Sequence, residues 1–329
     1  MVNIAIVDDW QGIARRCADW SVLDGSATLR FYREPLGDEA QIAAELADCD
    51  IIVPLRERTQ FSAGLLARLP RLRMLALTGQ GLRHIDVAAC RQRGIVCCGS
   101  GAGMPSPAAE MTLALMLASA RQVTAGDAAL RAGAFQEAIA PGYMLAGRTL
   151  GILGMGRIGA RVARYGLALD MRVIGWGRSY DAARAAQTGV ASVTKEELLQ
   201  GSDIVSVHLV LNDATRDFLG AAELALMKRG ALLVNTARGA IVNEVALLAA
   251  LQAGHISAAL DVFDQEPLPA GHPLRHAPNT VLTPHLGFNT QATFEAFYGE
   301  SVDNIRAFLR RQPQRVLNPD CLPNVRWPG

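Results

Sequence analysis

Three residues with complementary chemistry lie beyond predicted strands in the second half of the chain: Arg238, Glu266 and His285. Sites in parallel α/β sheets lie at the carboxyl ends of the strands, so these side chains are expected to meet. An arginine can pair with a carboxylate and polarise a ketone oxygen, and a histidine can supply a proton near neutral pH. A carboxylate bonded to that histidine would orient it and favour its protonated form. The three residue types therefore suit hydride transfer to a 2-keto acid.

A glycine-rich turn supplies the expected cofactor site. The predicted strand Thr149–Leu153 runs into a G-x-G-x-x-G turn that opens a helix. The first glycine permits the tight turn, the second admits a pyrophosphate, and the third lets the helix pack closely on the strand. The helix N-terminus then presents free N–H groups to the phosphates, with a charge-assisted contact from Arg157. We expect dinucleotide binding through Gly154, Gly156, Arg157, Ile158 and Gly159.

The next predicted strand lacks the acidic residue that typically holds the ribose 2′-hydroxyl of NAD. Trp176, Gly177, Arg178 and Ser179 stand at this point instead. Arg178 can meet a 2′-phosphate and stack on adenine, and Ser179 can add a hydrogen bond. The sequence therefore favours NADP over NAD and leaves both open.

Short β-branched runs alternate with helical stretches along the chain, which is the pattern of parallel α/β sheets. The first series of predicted strands is Val2–Val7, Ile51–Pro54, Leu72–Leu77 and Ile95–Cys98. The second is Thr149–Leu153, Met171–Gly175, Asp203–Val207, Ala231–Asn235, Ser257–Leu260 and Thr280–Leu282. Six strands with intervening helices suit a complete Rossmann domain. One long helix is predicted over Pro107–Arg131, as core or as dimer interface.

A break rich in Gly, Ser and Pro at Gly99–Pro107 separates the two series. The residues after the second series are too few for a domain, so their helix is expected to pack on the first. The predicted fold class is therefore α/β, with two doubly wound parallel-sheet domains. Residues 1–100 and 287–329 form a discontinuous flavodoxin-like substrate-binding domain. Residues 101–286 form the larger Rossmann dinucleotide-binding domain, inserted into it.

Composition argues against several other classes of function. Lys and Arg total 32 against 31 Asp and Glu, so no nucleic-acid partner is expected. The longest apolar run, Met111–Ala120, is too short to span a bilayer, and the first residues lack the basic segment of a signal peptide. The six cysteines form no C-x-x-C pair, which is typical of reduced thiols in a cytoplasmic protein. His272 and His276 are separated by Pro273, so no metal site is predicted.

These motifs resemble those of the D-isomer-specific 2-hydroxyacid dehydrogenases over essentially the whole chain. The matching segments are GMGRIG from Gly154, NTARG around Arg238, LDVFDQEP around Asp261 and Glu266, and TPHLG around His285. The resemblance implies that Arg238 binds the substrate carboxylate and carbonyl, with His285 as acid/base and Glu266 as its partner. The expected substrates are small 2-keto acids such as glyoxylate or hydroxypyruvate, and a homodimer is expected.

The resemblance also implies roles for residues that chemistry alone does not single out. In the first domain, the backbone of Gly79, Gln80 and Gly81 would hold the substrate carboxylate, and Arg56 would line the same pocket. Asp261 is similar to an aspartate near the nicotinamide amide. The further cofactor-binding residues expected in the second domain are His208, Thr215, Thr236, Ala237, Arg238, Asp261, His285 and Gly287.

The sequence has two alternative functional interpretations. A dinucleotide-sensing scaffold without activity is the main alternative, since fold alone does not decide function; a scaffold has no need of Arg238, Glu266 and His285 together. A formate-dehydrogenase-like enzyme is disfavoured, because that family resembles this one with Gln in place of Glu266. Departures from the family pattern at His84, Phe288 and Asn289 bear on the identity of the substrate.

Overall fold

The computed structural model of the chain describes residues 1–101 and 104–327. The chain divides into two units, Met1–Met104 with Thr290–Gly329, and Pro105–Asn289. The predicted domains end at residues 100 and 286, four residues before Met104 and three before Asn289. Ala102 and Gly103 of the predicted break lie outside the described residues. The assignment of substrate binding to the first unit stays a prediction.

The first unit contains a parallel sheet whose described strands number five. They are β1 (Val2–Val7), β2 (Ala27–Phe31), β3 (Ile51–Pro54), β4 (Met74–Ala76) and β5 (Val96–Cys98). Their order, β2-β1-β3-β4-β5, is that of flavodoxin-like folds. β3, β4 and β5 are buried throughout because helices cover both faces of such a sheet. The sequence prediction misses the edge strand β2, which is only partly buried and includes Thr28 and Arg30.

The second unit contains seven parallel strands within the described residues. They are β6 (Thr149–Leu153), β7 (Arg172–Trp176), β8 (Ala191–Ser192), β9 (Ile204–Val207), β10 (Leu232–Asn235), β11 (Ser257–Leu260) and β12 (Thr280–Leu282). Their order is β12-β11-β10-β9-β6-β7-β8, so the winding direction reverses between β6 and β9. Ligands bind doubly wound sheets at that reversal. The predicted pair of doubly wound parallel sheets is confirmed, and the prediction lacks only the two-residue strand β8 here.

The described helices complete the α/β layers. They are α1 (Glu39–Leu46), α2 (Ala63–Ala67), α3 (Val87–Arg93), α4 (Ser106–Ala120), α5 (Val123–Arg131), α6 (Arg157–Ala168), α7 (Ala182–Thr188), α8 (Lys195–Gly201), α9 (Ala221–Leu226), α10 (Glu244–Gln252) and α11 (Gln291–Leu309). The prediction of one helix over Pro107–Arg131 is wrong. Gln122 adopts a left-handed φ of 54°, which ends the helical path between α4 and α5.

The interior of each unit is apolar, and the cysteines lie in the first unit. All six cysteines are free and buried, as expected for thiols that behave as small hydrophobic side chains. Among the helices described, none combines the length and apolar character needed to cross a membrane.

Candidate active site

The glycine turn between β6 and α6 brings three chain segments into close contact. Gly154 has a φ of +104°, and a Cβ there would lie 2.7 Å from the carbonyl carbon of His208. A Cβ on Gly159 would lie 2.1 Å from the carbonyl oxygen of Gly154. Neither position can carry a side chain, because backbone atoms fill the space. The turn is therefore closed by backbone contact.

Gly156 differs from these two glycines, because its missing side chain would point into open space. A Cβ there would meet no atom within 4 Å, and its φ of −82° suits any residue. Gly156 is the N-cap of α6 and supplies no side-chain hydrogen bond to the first turn. The first N–H groups of this helix therefore face a bare backbone surface, which fits the pyrophosphate of a dinucleotide. Arg157 and Ile158 follow, with Arg157 exposed.

The segment after β7 is basic. Arg178 and Ser179 are exposed, and Arg184 donates from Nη1 to the carbonyl and the hydroxyl oxygens of Ser179, at 3.0 and 3.1 Å. Asp181 is the nearest acidic residue in the sequence, but its carboxylate caps α7 by accepting from the Arg184 backbone N–H at 3.0 Å. Arg178 and Arg184 thus flank this strand end, while the carboxylate of Asp181 is occupied by its hydrogen bond to the first turn of α7.

The loop that carries Arg238 is held by a residue that the sequence prediction does not assign. Asn235, the last residue of β10, is 1% exposed. Its Oδ1 accepts from the backbone N–H of Ala237 at 3.0 Å, and its Nδ2 donates to the carbonyl oxygen of Arg238 at 2.9 Å. Thr236, between them, shares a 2.8 Å hydrogen bond with Thr112 of α4. A polar residue that closes an otherwise apolar strand is the signal that could have identified Asn235.

A buried carboxylate organises the loop that carries His285. Asp261 is fully buried directly after β11. Its Oδ1 accepts from the Thr283 hydroxyl at 2.6 Å and from the Leu286 N–H at 2.7 Å, and its Oδ2 accepts from the Gly287 N–H at 2.7 Å. Burial raises the pKa of Asp261, although these hydrogen bonds and the charge of His285 counteract it. The loop is therefore attached to Asp261 on both sides of His285.

His285 itself is held in a backbone conformation that a histidine seldom adopts. Its φ is +55°, in the left-handed region, which costs a non-glycine residue about 1–3 kcal/mol and persists only when its surroundings enforce it. The hydrogen bonds from Leu286 and Gly287 to Asp261 supply that enforcement. The imidazole also meets the ring of Phe288 edge to face, with centroids 5.6 Å apart.

The His285 imidazole and the Glu266 carboxylate form a direct pair. Nδ1 of His285 lies 2.6 Å from Oε2 of Glu266, and Oε1 of Glu266 accepts from the Phe263 N–H at 2.9 Å. Burial acts to raise the pKa of Glu266, but the bond and charge of His285, the Phe263 N–H and the charge of Arg238 outweigh it. The pKa of Glu266 therefore lies below its ordinary value.

This pairing fixes the roles of the two imidazole nitrogens. An ionised carboxylate only accepts hydrogen bonds, so Nδ1 of His285 must carry the proton between them. The side chains of His285 and Glu266 are 26% and 34% exposed, so the pair reaches the surface of its unit. Nε2 is then the nitrogen that can take or give a proton to a bound molecule.

His208 and Thr215 stabilise the segment that follows β9. The Ser206 hydroxyl lies 2.8 Å from Nε2 of His208, and burial lowers the pKa of His208 to about 4, so its imidazole is neutral. The Thr215 hydroxyl donates to the Val210 carbonyl at 2.7 Å and accepts from the Asn212 N–H at 2.8 Å. Both side chains hold the local backbone, and their predicted contact with the cofactor stays a prediction.

The predicted substrate residues of the first unit lie together at the carboxyl ends of β3 and β4. The Arg56 guanidinium fills the space beside Gly79, since a Cβ there would lie 2.6 Å from Nη1 of Arg56. The Gln80 side chain donates to the Ser100 carbonyl at 3.2 Å. Gly81 lies next to Glu57, whose Oε1 would be 2.7 Å from an added Cβ. The expected cluster thus forms within its own unit.

The residues that the structure describes contain no group of three or more His, Cys, Asp or Glu side chains placed to hold a metal ion. His272 pairs instead with a carboxylate, its Nε2 lying 3.0 Å from Oε1 of Glu244.

Comparison with known proteins places this arrangement in a family. Residues 113–287, more than half of the chain, match the family model described as D-isomer specific 2-hydroxyacid dehydrogenase, NAD binding domain. A glyoxylate reductase from Aeropyrum pernix is 42% identical over 274 residues, which cover 80% of this chain and 82% of that protein. A phosphoglycerate oxidoreductase structure from Vibrio cholerae is 34% identical with a TM-score of 0.89, and the alignment covers 94% of this chain and 100% of that one.

A longer relative matches as well. A D-3-phosphoglycerate dehydrogenase from Methanocaldococcus jannaschii is 33% identical over 288 residues, which cover 87% of this chain. The match covers 54% of that protein, so this chain spans about half the length of that relative.

The fold and these matches define a dehydrogenase of the α/β class. The chain belongs to the D-isomer-specific 2-hydroxyacid dehydrogenase family, and the resemblance predicted from its motifs is confirmed. The description of the family's domain supports NAD(H) as the cofactor.

The open space at Gly156 gives a direct test of the cofactor site. Gly156→Ala should leave the melting temperature unchanged, because the added methyl group meets nothing. It should weaken NADH binding about tenfold or more, since the methyl group would stand where the pyrophosphate approaches the backbone. Fluorescence titration with NADH measures the effect. Gly271→Ala is the matched control, because its Cβ also meets nothing within 4 Å. Equal affinity in both variants would place the pyrophosphate elsewhere.

Proposed function

We propose that the chain reduces small 2-keto acids to D-2-hydroxy acids, with His285 as acid/base, Glu266 as its partner and Arg238 as the residue that binds substrate. The observation that carries the proposal is the 2.6 Å contact between Nδ1 of His285 and Oε2 of Glu266. A histidine oriented by a carboxylate is the arrangement that delivers a proton to a developing alkoxide. The relatives named glyoxylate reductase and D-3-phosphoglycerate dehydrogenase support this reaction class.

The protein's own part in the reaction is the movement of one proton. The bound NAD(P)H supplies the hydride that adds to the carbonyl carbon of the 2-keto acid. As negative charge develops on the carbonyl oxygen, Nε2 of protonated His285 gives that oxygen its proton, and the product is the 2-hydroxy acid. Glu266 stabilises the positive imidazolium before the transfer through its bond to Nδ1. The oxidation of the hydroxy acid follows the same path in reverse.

Arg238 has the charge and the place to bind the substrate in the same reaction. Its positive charge reaches Glu266, whose pKa it lowers, so the guanidinium lies in the electrostatic field of the acid/base pair. A planar guanidinium can hold a carboxylate with two bonds and polarise the adjacent carbonyl. Nη1 of Arg238 donates to the Ala237 carbonyl at 2.7 Å, which orients the guanidinium.

The test of this proposal is the removal of the imidazole without disturbance of the backbone. His285→Asn is the suitable change, because asparagine tolerates the left-handed φ of +55°. Turnover of glyoxylate or hydroxypyruvate should fall about 10²- to 10⁴-fold, the usual contribution of general acid catalysis, while NADH still binds. His276→Asn, at an exposed residue that ends a short 3-10 helix outside the pair, is the control. Unchanged turnover in His285→Asn would contradict the acid/base role. NADH binding by the wild type without turnover of any 2-keto acid would instead favour the dinucleotide-sensing scaffold.

We further propose that the enzyme prefers NADPH to NADH. Arg178 and Arg184 flank the carboxyl end of β7, and Ser179 stands between them in the sequence. A ribose 2′-phosphate carries about two negative charges near neutral pH, and no acidic side chain at positions 176–179 opposes it. Gly177 brings no charge to this strand end. The space beside it is narrow, since a Cβ there would lie 3.3 Å from Cβ of Tyr180.

Replacement of this segment should reverse the preference. Charge-assisted contacts contribute about 1.5–3 kcal/mol, so kcat/KM should be roughly 10- to 100-fold higher for NADPH than for NADH in the wild type. Gly177→Asp combined with Arg178→Ala should make NADH the better cofactor, because the new carboxylate repels the phosphate and accepts from a 2′-hydroxyl. Arg172→Ala, at the opposite end of β7, is the control. A wild type that prefers NADH would show that Arg178 is only a solvated loop residue.

We also propose that the chain forms a homodimer. None of the nine residues of α5 is buried, and this helix and the segment after it expose Val123, Leu130, Phe135 and Met144 at 55–79%. Several large apolar side chains exposed along one stretch of the chain favour a protein interface there. The free cysteines support the predicted cytoplasmic location.

The assembly can be measured by sedimentation equilibrium. The wild type should sediment at about twice the 35.1 kDa mass of the chain, and Leu130→Glu with Phe135→Glu should sediment as the single chain because two charges would be desolvated in the interface. Val245→Glu, on an exposed position of α10, is the matched control. A wild-type mass of one chain at micromolar concentration would contradict the dimer.

A further inference from the structure

Arg56, the first-unit residue expected to bind substrate, is held in a strained conformation. Its φ is +61°, which is uncommon for a long side chain. Such a conformation persists only when neighbouring contacts determine it. The contacts that determine it therefore control where the guanidinium lies.

Contacts on the side of β4 fix the backbone of Arg56. Its N–H donates to the Thr78 hydroxyl at 2.7 Å, and that hydroxyl donates to the Pro54 carbonyl at 2.9 Å. The guanidinium extends to Gly79 and lies with Cζ 5.6 Å from the centre of the Phe297 ring. These contacts hold the N-terminal side of the turn after β3.

Asp8, the residue directly after β1, holds the other side of the turn. Its Oδ2 accepts from the Thr59 hydroxyl at 2.7 Å, and its carbonyl oxygen accepts from Nη1 of Arg58 at 2.7 Å. The Arg58 guanidinium is in turn stacked on the ring of Trp10 at 3.9 Å. Asp8 thus holds Arg58 and Thr59, which follow Arg56 by two and three residues.

We propose that Asp8 and Thr59 are a positioning pair, which keeps Arg56 in the conformation that binds the substrate carboxylate. The inference rests on the proposed function and on the expectation, from the family resemblance, that Arg56 lines the substrate pocket. It adds two residues that the sequence motifs and the family comparison leave without a role. Asp8 and Thr59 do not themselves touch the substrate; they act through Arg56.

The chemistry of Asp8 supports a role beyond folding. Asp8 is 5% exposed and has a left-handed φ of 64°. Burial raises its pKa, and the bond from Thr59 and the charge of Arg58 counteract that effect. A buried carboxylate costs stability unless it is paired, and apolar residues often replace such pairs without loss of stability. Asp8 lies where the strand order reverses, between β1 and β3. Backbone strain and a buried charge at such a place are typical of a functional site.

The pair can be tested by removal of one hydroxyl. Thr59→Val keeps the shape of the side chain and deletes the bond to Asp8, whereas Thr59→Ser keeps the hydroxyl and serves as the conservative rescue. Arg56→Gln and the double variant Arg56→Gln with Thr59→Val complete a thermodynamic cycle. The measurements are kcat and KM for glyoxylate and for hydroxypyruvate at saturating NADPH or NADH, the Kd for the nucleotide, and the melting temperature.

We expect Thr59→Val to raise KM roughly 3- to 30-fold, which lies within the range of coupling in one hydrogen-bond network, with kcat changed less than twofold. Thr59→Ser should keep the wild-type KM. In the Arg56→Gln background, Thr59→Val should raise KM less than twofold further, because the residue it positions is gone. A merely structural role would reduce the amount of active enzyme, and hence kcat, without a change in KM.

Two results would overturn the inference. If Thr59→Val leaves KM unchanged, or raises it equally with and without Arg56, the pair does not act through Arg56, while the acid/base proposal for His285 is unaffected. If Arg56→Gln itself leaves KM unchanged, Arg56 does not bind substrate. That result would remove both the expected role of Arg56 in the first-unit substrate subsite and the pair that depends on it.

Discussion

The loop that carries His285 depends on one buried carboxylate. Asp261 receives three hydrogen bonds from the segment that carries His285, two of them from backbone N–H groups. Without an anionic acceptor, those N–H groups would be left unsatisfied or turned to water, and the left-handed backbone of His285 would relax. Burial of the Asp261 charge costs free energy, and in return the carboxylate holds His285 in its strained conformation. The distance from His285 to Glu266 follows from that placement.

The sheet explains why distant residues in the sequence form one site. β10, β11 and β12 are consecutive neighbours, with β11 paired in parallel to both of the others. The loops after these strands carry Arg238, then Asp261 and Glu266, then His285. Parallel strands end at the same edge of a sheet, so each βαβ repeat adds one functional group to that edge. The proposed acid/base pair thus lies at one part of this sheet edge, while the glycine turn lies between β6 and α6.

Much of this could be predicted from the sequence, because the motifs carry their own physics. The glycine spacing after β6 is required by backbone contacts such as that of Gly159 with Gly154. Residues whose role is to hold a loop were harder to identify. Asn235 and Thr59 act through one or two hydrogen bonds to groups whose position depends on the fold. The edge strand β2 and the left-handed Gln122 between α4 and α5 were also missed, since neither leaves a strong hydrophobic pattern.

The tautomer of neutral His285, that is, which ring nitrogen carries the proton, distinguishes the proposed mechanism from any other role of this histidine. Heteronuclear NMR of the imidazole nitrogens measures it directly in the neutral form of the ring. The His285→Asn variant assigns the signals among the six histidines of the chain. The account predicts a protonated Nδ1, bonded to Glu266, and an unprotonated Nε2. A protonated Nε2 with a bare Nδ1 would contradict it, because the carboxylate of Glu266 would then face a nitrogen with no proton to donate.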